Sequence, residues 1–315
     1  MIRDFAKYFS RTPAQANAAP LVASLYLHPD HLKLVVAKTA PLQVIKVETL
    51  LLQNGLSFTE QCLSLVAELP AKTELCLILS ADRYQIVQVD KPAVPDAEII
   101  SALRFGIREL VNTPLDDLLL DYMDLPEQAQ QGSAKVQVVA TSLSSLKSLC
   151  EELAEQKVKL TNIQPEEWLA RNLLPATDGA AMLLTHQPSQ ELNLQIIRDQ
   201  QIHFSRKLRG FNRIHQYDLA ELQQGMLDNL LLEVQRSLDY YEGQLKQSPV
   251  REIYIQINNN SLAGIVNYFS ANGFSQVKAL ELKTFMPKLS QAEREDYWLT
   301  LAGVLELVST RSSAP

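Results

Sequence analysis

Short alternating and aliphatic runs predict strands at residues 21–27, 31–37 and 42–50. A helix follows. Ser57, with Glu60 three residues on, forms the pattern of a capping box, in which each side chain satisfies a backbone N–H that the first helical turn leaves unpaired. That helix is expected to stop near Leu69 and Pro70, and the apolar run Leu75–Leu79 then reads as a buried strand. The same order returns as strands at 181–186, 192–197 and 201–208, a long helix at 219–244 and a strand at 252–257. Little residue identity links the two copies, so the repeat is one of pattern. After it come a helix at 261–272 closed by Gly273, a strand at 276–280, and a last helix. The last helix opens with a second capping box, Ser290 and Glu293, and carries Trp298, Ala302, Leu305 and Val308 on one face.

Residues 84–154 interrupt the repeat. Tyr84–Asp90 alternates like a strand, and Ile99, Leu103, Ile107 and Leu110 stripe a helix behind Asp96. Strands at 118–123 and 135–140 flank a polar turn at 128–133, and a helix bearing Leu146, Leu149 and Leu153 is expected to complete the insertion. The predicted layout is a helix and linker at 1–20, a first lobe at 21–175 holding the insertion, and a second lobe at 176–315. In the first segment Ile2, Phe5 and Phe9 lie opposite Arg3, Asp4 and Lys7, which reads as a short amphipathic arm or docking helix.

Composition narrows the function classes. A chain of 315 residues suffices for two cores, and 46% hydrophobic residues argue against disorder. A net charge of -7 without a basic patch argues against a nucleic-acid partner. No apolar run approaches the roughly 18 residues that a membrane-spanning helix needs, and no signal-peptide pattern opens the chain. A cytoplasmic protein is expected. Cys62, Cys76 and Cys150 are scattered among apolar neighbours, as buried thiols would be. The five histidines show no ligand spacing, so no metal site is expected. Carboxylate pairs at Asp116–Asp117, Glu151–Glu152 and Glu166–Glu167 read as solvated or capping groups.

Three strings carry a family resemblance. In Leu231–Tyr241, LLEVQRSLDYY, the residues Leu227, Leu231, Val234, Leu238 and Tyr241 share one helical face, with Glu233, Gln235, Arg236 and Asp239 elsewhere. The others are Leu79–Pro95, LSADRYQIVQVDKPAVP, and Asp117–Pro126, DLLLDYMDLP. Together they resemble the actin-like pilus-assembly proteins of the PilM family, above all the MshI branch of mannose-sensitive haemagglutinin (MSHA) pilus biogenesis, over residues 21–308. The resemblance implies an α/β, actin-like fold of the Hsp70, FtsA and PilM type. That fold duplicates a ribonuclease-H-like half-domain and here adds an inserted α+β subdomain. It also implies a cytoplasmic scaffold peripheral to the inner membrane, bound to the N-terminal tail of a PilN-like inner-membrane protein. Candidate contacts on the insertion are Arg104 and Arg108, one turn apart on the expected helix face, with Asp121 and Tyr122 on the next strand; association into homo-oligomers stays open.

The nucleotide loops depart from the family. Where its first phosphate turn reads Ile-Asp-Ile-Gly-Ser-Ser, this chain has Leu25-Tyr26-Leu27-His28-Pro29-Asp30, and Pro29 removes a backbone donor. Thr185-His186-Gln187-Pro188 replaces the second Asp-x-Gly turn, and Gln256-Ile257-Asn258-Asn259-Asn260 replaces the adenine-side glycines. No cofactor and no catalysis are expected. The alternative, ATP with Mg, would rest on Lys33, Glu233 and Arg236.

Overall fold

The computed structural model describes residues 21–126, 133–156, 158–175, 177 and 179–312; the predicted N-terminal helix and linker lie outside them. Two compact units emerge: residues 21–124, 133–169 and 297–312 form the first, and the second includes 170–296.

The first unit begins β1 (Leu21–Leu27), β2 (His31–Thr39), β3 (Leu42–Leu51), α1 (Phe58–Val66) and β4 (Glu74–Leu79). The α1 capping box forms as the spacing predicts: the Glu60 N–H donates to Ser57 Oγ at 3.1 Å and the Ser57 N–H to the Glu60 carboxylate at 2.8 Å. The chain then leaves the sheet for β5 (Gln85–Asp90), α2 (Ile99–Gly106), β6 (Leu118–Asp124) and β7 (Lys135–Ser142). It returns through α3 (Ser144–Glu155), β8 (Lys159–Pro165) and the single turn α4 (Glu166–Leu169). The main sheet runs β3-β2-β1-β4-β8, with β1 at its centre and buried from Val22 onward.

The insertion is a small antiparallel sheet, β5-β7-β6, covered on one face by α2. Ile99, Leu103 and Ile107 meet Leu118, Leu120, Val136 and Val138 there, and burying each such side chain contributes about 1.5–3 kcal/mol. The expectation that the helix of Leu146, Leu149 and Leu153 completes the insertion is corrected. Its apolar face makes α3 part of the main layer, packed on α1 and β8. Asp117 reaches across to start it, accepting from the Ser144 N–H at 2.7 Å and from the Ser142 hydroxyl at 2.6 Å. These hydrogen bonds hold its carboxyl below the usual range.

The second unit repeats the order: β9 (Ala180–His186), β10 (Leu192–Arg198), β11 (Gln201–Leu208), α5 (Leu219–Leu222), α6 (Met226–Asp239), β12 (Val250–Ile257), α7 (Leu262–Ala271) and β13 (Val277–Ala279). Its sheet order, β11-β10-β9-β12-β13, reproduces that of the first strand for strand. Both repeats even bulge between their second and third strands, at Val36/Ala37 and at Ile196/Ile197. The long helix expected over 219–244 is broken, because Gly225 takes a left-handed φ of 111° between α5 and α6. The face of α6 that is buried carries Leu227, Leu230, Val234 and Ser237, so Leu231 and Leu238 of the expected stripe are only half-buried at its margin.

The last helix, α8 (Gln291–Ser312), belongs by sequence to the second lobe, yet residues 297–312 pack into the first unit. Ser24 donates its hydroxyl to the Thr300 carbonyl, and Thr49 Oγ1 lies 2.7 Å from the Tyr297 hydroxyl. Gly303 permits this approach, since a Cβ there would stand 2.7 Å from Ile78 Cδ1 and 3.0 Å from Ser24 Cβ.

Candidate functional site

The first unit places Tyr26, Lys33 and Thr49 in one row across β1, β2 and β3. Tyr26 is buried and donates its hydroxyl to the Glu166 carboxylate at 2.7 Å. Glu166, read from sequence as a solvated or capping group, is therefore a buried acceptor at the end of β8. Lys33 is also nearly buried, its ammonium 5.8 Å from the centroid of the Tyr297 ring.

The turn beyond this row has its backbone donors engaged. The His28 N–H donates to the His31 carbonyl at 3.1 Å, Pro29 has no donor, and the Asp30 N–H donates to His28 Nδ1 at 3.2 Å. The His28 ring stacks on His31 with centroids 4.2 Å apart. Burial lowers the His28 pKa, partly offset by Asp30 and Asp82, so the neutral ring persists to lower pH and keeps its acceptor nitrogen. A phosphate needs several N–H groups pointing at it. This turn does not fit one.

The corresponding turn of the second unit is closed differently. His186, at the end of β9, is buried and stacks on His215 at 5.4 Å, with Nε2 at 3.3 Å from the Asn212 carbonyl. Burial first, then the neighbouring His215, push its pKa down to about 4. After β12 the Asn259 amide donates to the carbonyls of Ile214 at 2.8 Å and Tyr217 at 2.9 Å, while its oxygen accepts from the Ser261 N–H at 2.6 Å. The side chain that stands where the adenine-side glycines are implied is thus a brace for its own unit.

Glu233 and Arg236 come together on α6. Glu233 accepts from Arg236 at 2.7 Å and from Arg206 of β11, and both Glu233 and Arg236 line an open cavity of about 830 Å³ within the second unit.

The predicted partner residues have unequal access. Arg104 donates through Nη1 to the Leu115 carbonyl at 3.2 Å and to that of Leu118, tying the loop after α2 to the helix. Arg108 lies past the end of α2 at Gly106, not one turn along its face, and pairs with Glu109 at 3.1 Å with 59% of its side chain exposed. Asp121 and Tyr122 on β6 are buried, and Asp121 accepts from the Tyr122 N–H at 2.8 Å. Sequence reasoning missed the exposed Phe105 and Leu110 nearby, which it assigned no surface role. The thiols are buried as expected, those of Cys62 and Cys150 pushed up to about 12 by desolvation.

No protein-family model matches the chain, and no curated protein matches its sequence. Solved structures do match. A chain of the PilM-PilN type IV pilus biogenesis complex aligns with a TM-score of 0.63 at 16% identity, covering 93% of this chain and 99% of that one. The cytoplasmic domain of EpsL, an inner membrane component of the type II secretion system of Vibrio cholerae, gives 0.48 at 11% identity, covering 90% and 94%. A Bacteroides thetaiotaomicron protein with an actin-like ATPase fold gives 0.48 at 10%, covering 89% and 96%. The fold is the actin-like one: two ribonuclease-H-like half-domains, the first holding an inserted α+β subdomain. Among the described residues no helix is long and apolar enough to cross a membrane.

Proposed function

We propose that this chain is a non-catalytic scaffold of a type IV pilus assembly machine, of the mannose-sensitive haemagglutinin kind that MshI proteins serve. It works on the cytoplasmic face of the inner membrane and holds the N-terminal tail of a PilN-like membrane protein. One observation carries the reading: nearly the whole chain follows the fold of the PilM-PilN complex chain, while the β1–β2 turn uses its own donors internally. A fold retained without its phosphate chemistry suits a part kept for its shape. The tail is held beside the inserted subdomain, by backbone hydrogen bonds and a few side-chain pockets, as extended peptides are in such grooves. Of the four candidate contacts, Arg108 is the proposed one, because its charge is accessible; Arg104 is tied to the Leu115 and Leu118 carbonyls, and the buried Asp121 and Tyr122 support β6 rather than meet the tail.

Two measurements test this. Co-purification with PilN-like inner-membrane pilus proteins is expected to succeed for the native chain and to weaken for Arg108→Glu, an exposed change that leaves the fold intact. Failure of the native chain to retain any such protein overturns the scaffold reading. Thermal unfolding is expected not to shift with Mg-ATP, whereas a ligand at 100 times its Kd adds about 2.7 kcal/mol. The second reading is an ATP-binding protein, for which Lys33, Glu233 and Arg236 are the candidates; the cavity beside α6, lined by Glu233 and Arg236 but not by Lys33, supports it, and a clear rise in melting temperature favours it.

A further inference from the structure

The second unit carries a surface that the pilus reading does not use. We propose that the cavity of about 830 Å³ beside α6 is a docking site for an acidic peptide segment of a partner protein, with apolar side chains seated on Met226 and Leu232 and carboxylates meeting Arg209 and Arg236.

Its volume lies within the range of about 300–1,000 Å³ usual for ligand pockets. Where Leu227, Leu230 and Val234 of α6 are fully buried, Leu232 on the opposite side is 48% exposed. Leu232, Arg236 and Tyr240 follow at four-residue intervals and so make one exposed stripe that runs from the cavity along the helix. An apolar stripe with an arginine in the middle suits a partner that is itself part apolar and part acidic.

The charges agree. Residues 206–213 hold Arg206, Lys207, Arg209 and Arg213 and no carboxylate, in a chain whose net charge is -7. The acids nearby are already engaged: Glu233 lies between Arg206 and Arg236, and Glu221 and Asp218 close a capping box on each other's backbone. Arg209 is 93% exposed and reaches only to 3.9 Å from Glu191, which leaves its guanidinium available to a second carboxylate. Glu221 and Glu233 also face the cavity, and they repel the continuous charge of a nucleic-acid backbone more than a peptide whose acids alternate with apolar residues. Gly210 and Gly225 are also among the lining residues. A Cβ at either would meet nothing within 4 Å, so the backbone there lies open to an approaching chain.

The test uses the full chain and a short fluorescein-labelled peptide alternating Leu and Phe with Glu, against a counterpart with Lys for every Glu. The acidic peptide is expected to bind saturably and the basic one not, with affinity falling as salt rises. Leu232→Asp and Arg209→Glu are each expected to weaken binding about tenfold or more, with circular dichroism unchanged because both side chains are exposed. Arg108→Glu is expected to leave it unchanged, which separates this site from the proposed tail contact. Equal binding of both peptides, no binding of the acidic one, or native affinity in both cavity variants overturns the proposal. So does Mg-ATP occupying the cavity with the acidic peptide unable to compete.

Discussion

The two repeats differ most at one joint, the connection that leaves their fourth strand. In the first, the chain passes from β4 through Ser80–Tyr84 into the inserted sheet and comes back along β7 into α3. In the second, the joint after β12 is a tight turn into α7, braced by the three hydrogen bonds of Asn259. The insertion is tolerated because its ends are neighbours. Gln85 and Ala140 are paired residues of β5 and β7, and Thr141 donates its hydroxyl to the Arg83 carbonyl at 2.6 Å. A segment whose ends already lie side by side closes at little entropic cost and need not distort the sheet it leaves. One repeat thus carries a subdomain at this joint, while the other has a closed joint there and an open cavity beside α6.

The largest expected effect contrasts two packed glycines. Gly303→Leu should destabilise by about 3 kcal/mol or more, since a leucine is far larger than the space left beside Ser24 Cβ, which is fixed to the backbone of the central strand β1. Gly264→Ala in α7 also meets a close atom, Leu219 Cδ2 at 2.5 Å, but that is the end of a side chain that can swing away. It should cost less than about 1 kcal/mol. Equal losses in melting temperature for the two variants would break the contrast between a rigid and a yielding contact.

Next comes acid. His186 in the second unit is depressed from 6.5 to about 4, so the unfolded chain takes up the proton first as pH falls. Its contribution is fully present above about pH 6.5, declines through the window below, and stops declining near pH 4, a loss of up to about 3 kcal/mol. Urea midpoints at pH 7 and pH 4.5 measure it. His186→Gln should flatten the dependence, and an undiminished drop in that variant would sink the assignment.

A further effect tests the joint itself. Asn259→Ala should cost about 1–3 kcal/mol, because the Ile214 and Tyr217 carbonyls lose their donor. Denaturant unfolding checks it, and a loss below about 0.5 kcal/mol would mean the turn closes without the brace.

Most of the sheet was legible because each strand announces itself locally. The predicted runs at 21–27 and 201–208 match β1 and β11, and both capping boxes form where Ser57 and Ser290 place them, the Glu293 N–H donating to Ser290 Oγ at 3.3 Å. What stayed hidden depends on residues far apart in sequence. The apolar face of α3 reads the same whether it covers the insertion or α1. The break at Gly225 was invisible because the stripe continues across it, and a single glycine inside a helical pattern is often tolerated. At the candidate sites, Tyr26 was legible as a residue that puts no carboxylate in the first turn, but its hydroxyl partner lies 140 positions away at Glu166. The cavity beside α6 escaped for the same reason, since Arg209 and Leu232 meet only when β11 and α6 are folded.

Residues 297–312 of α8 finish a unit that residues 21–79 began. Synthesis runs from the amino end, so the strands of the first sheet emerge before the helix that covers Ser24 and Ile78, and they wait until residues 297–312 have been made. The second unit has all its strands once Ala279 has emerged. The unit begun first is therefore the unit completed last, and a chain stopped just before residue 297 would lose the helix that covers Ser24 and Ile78 in the first sheet.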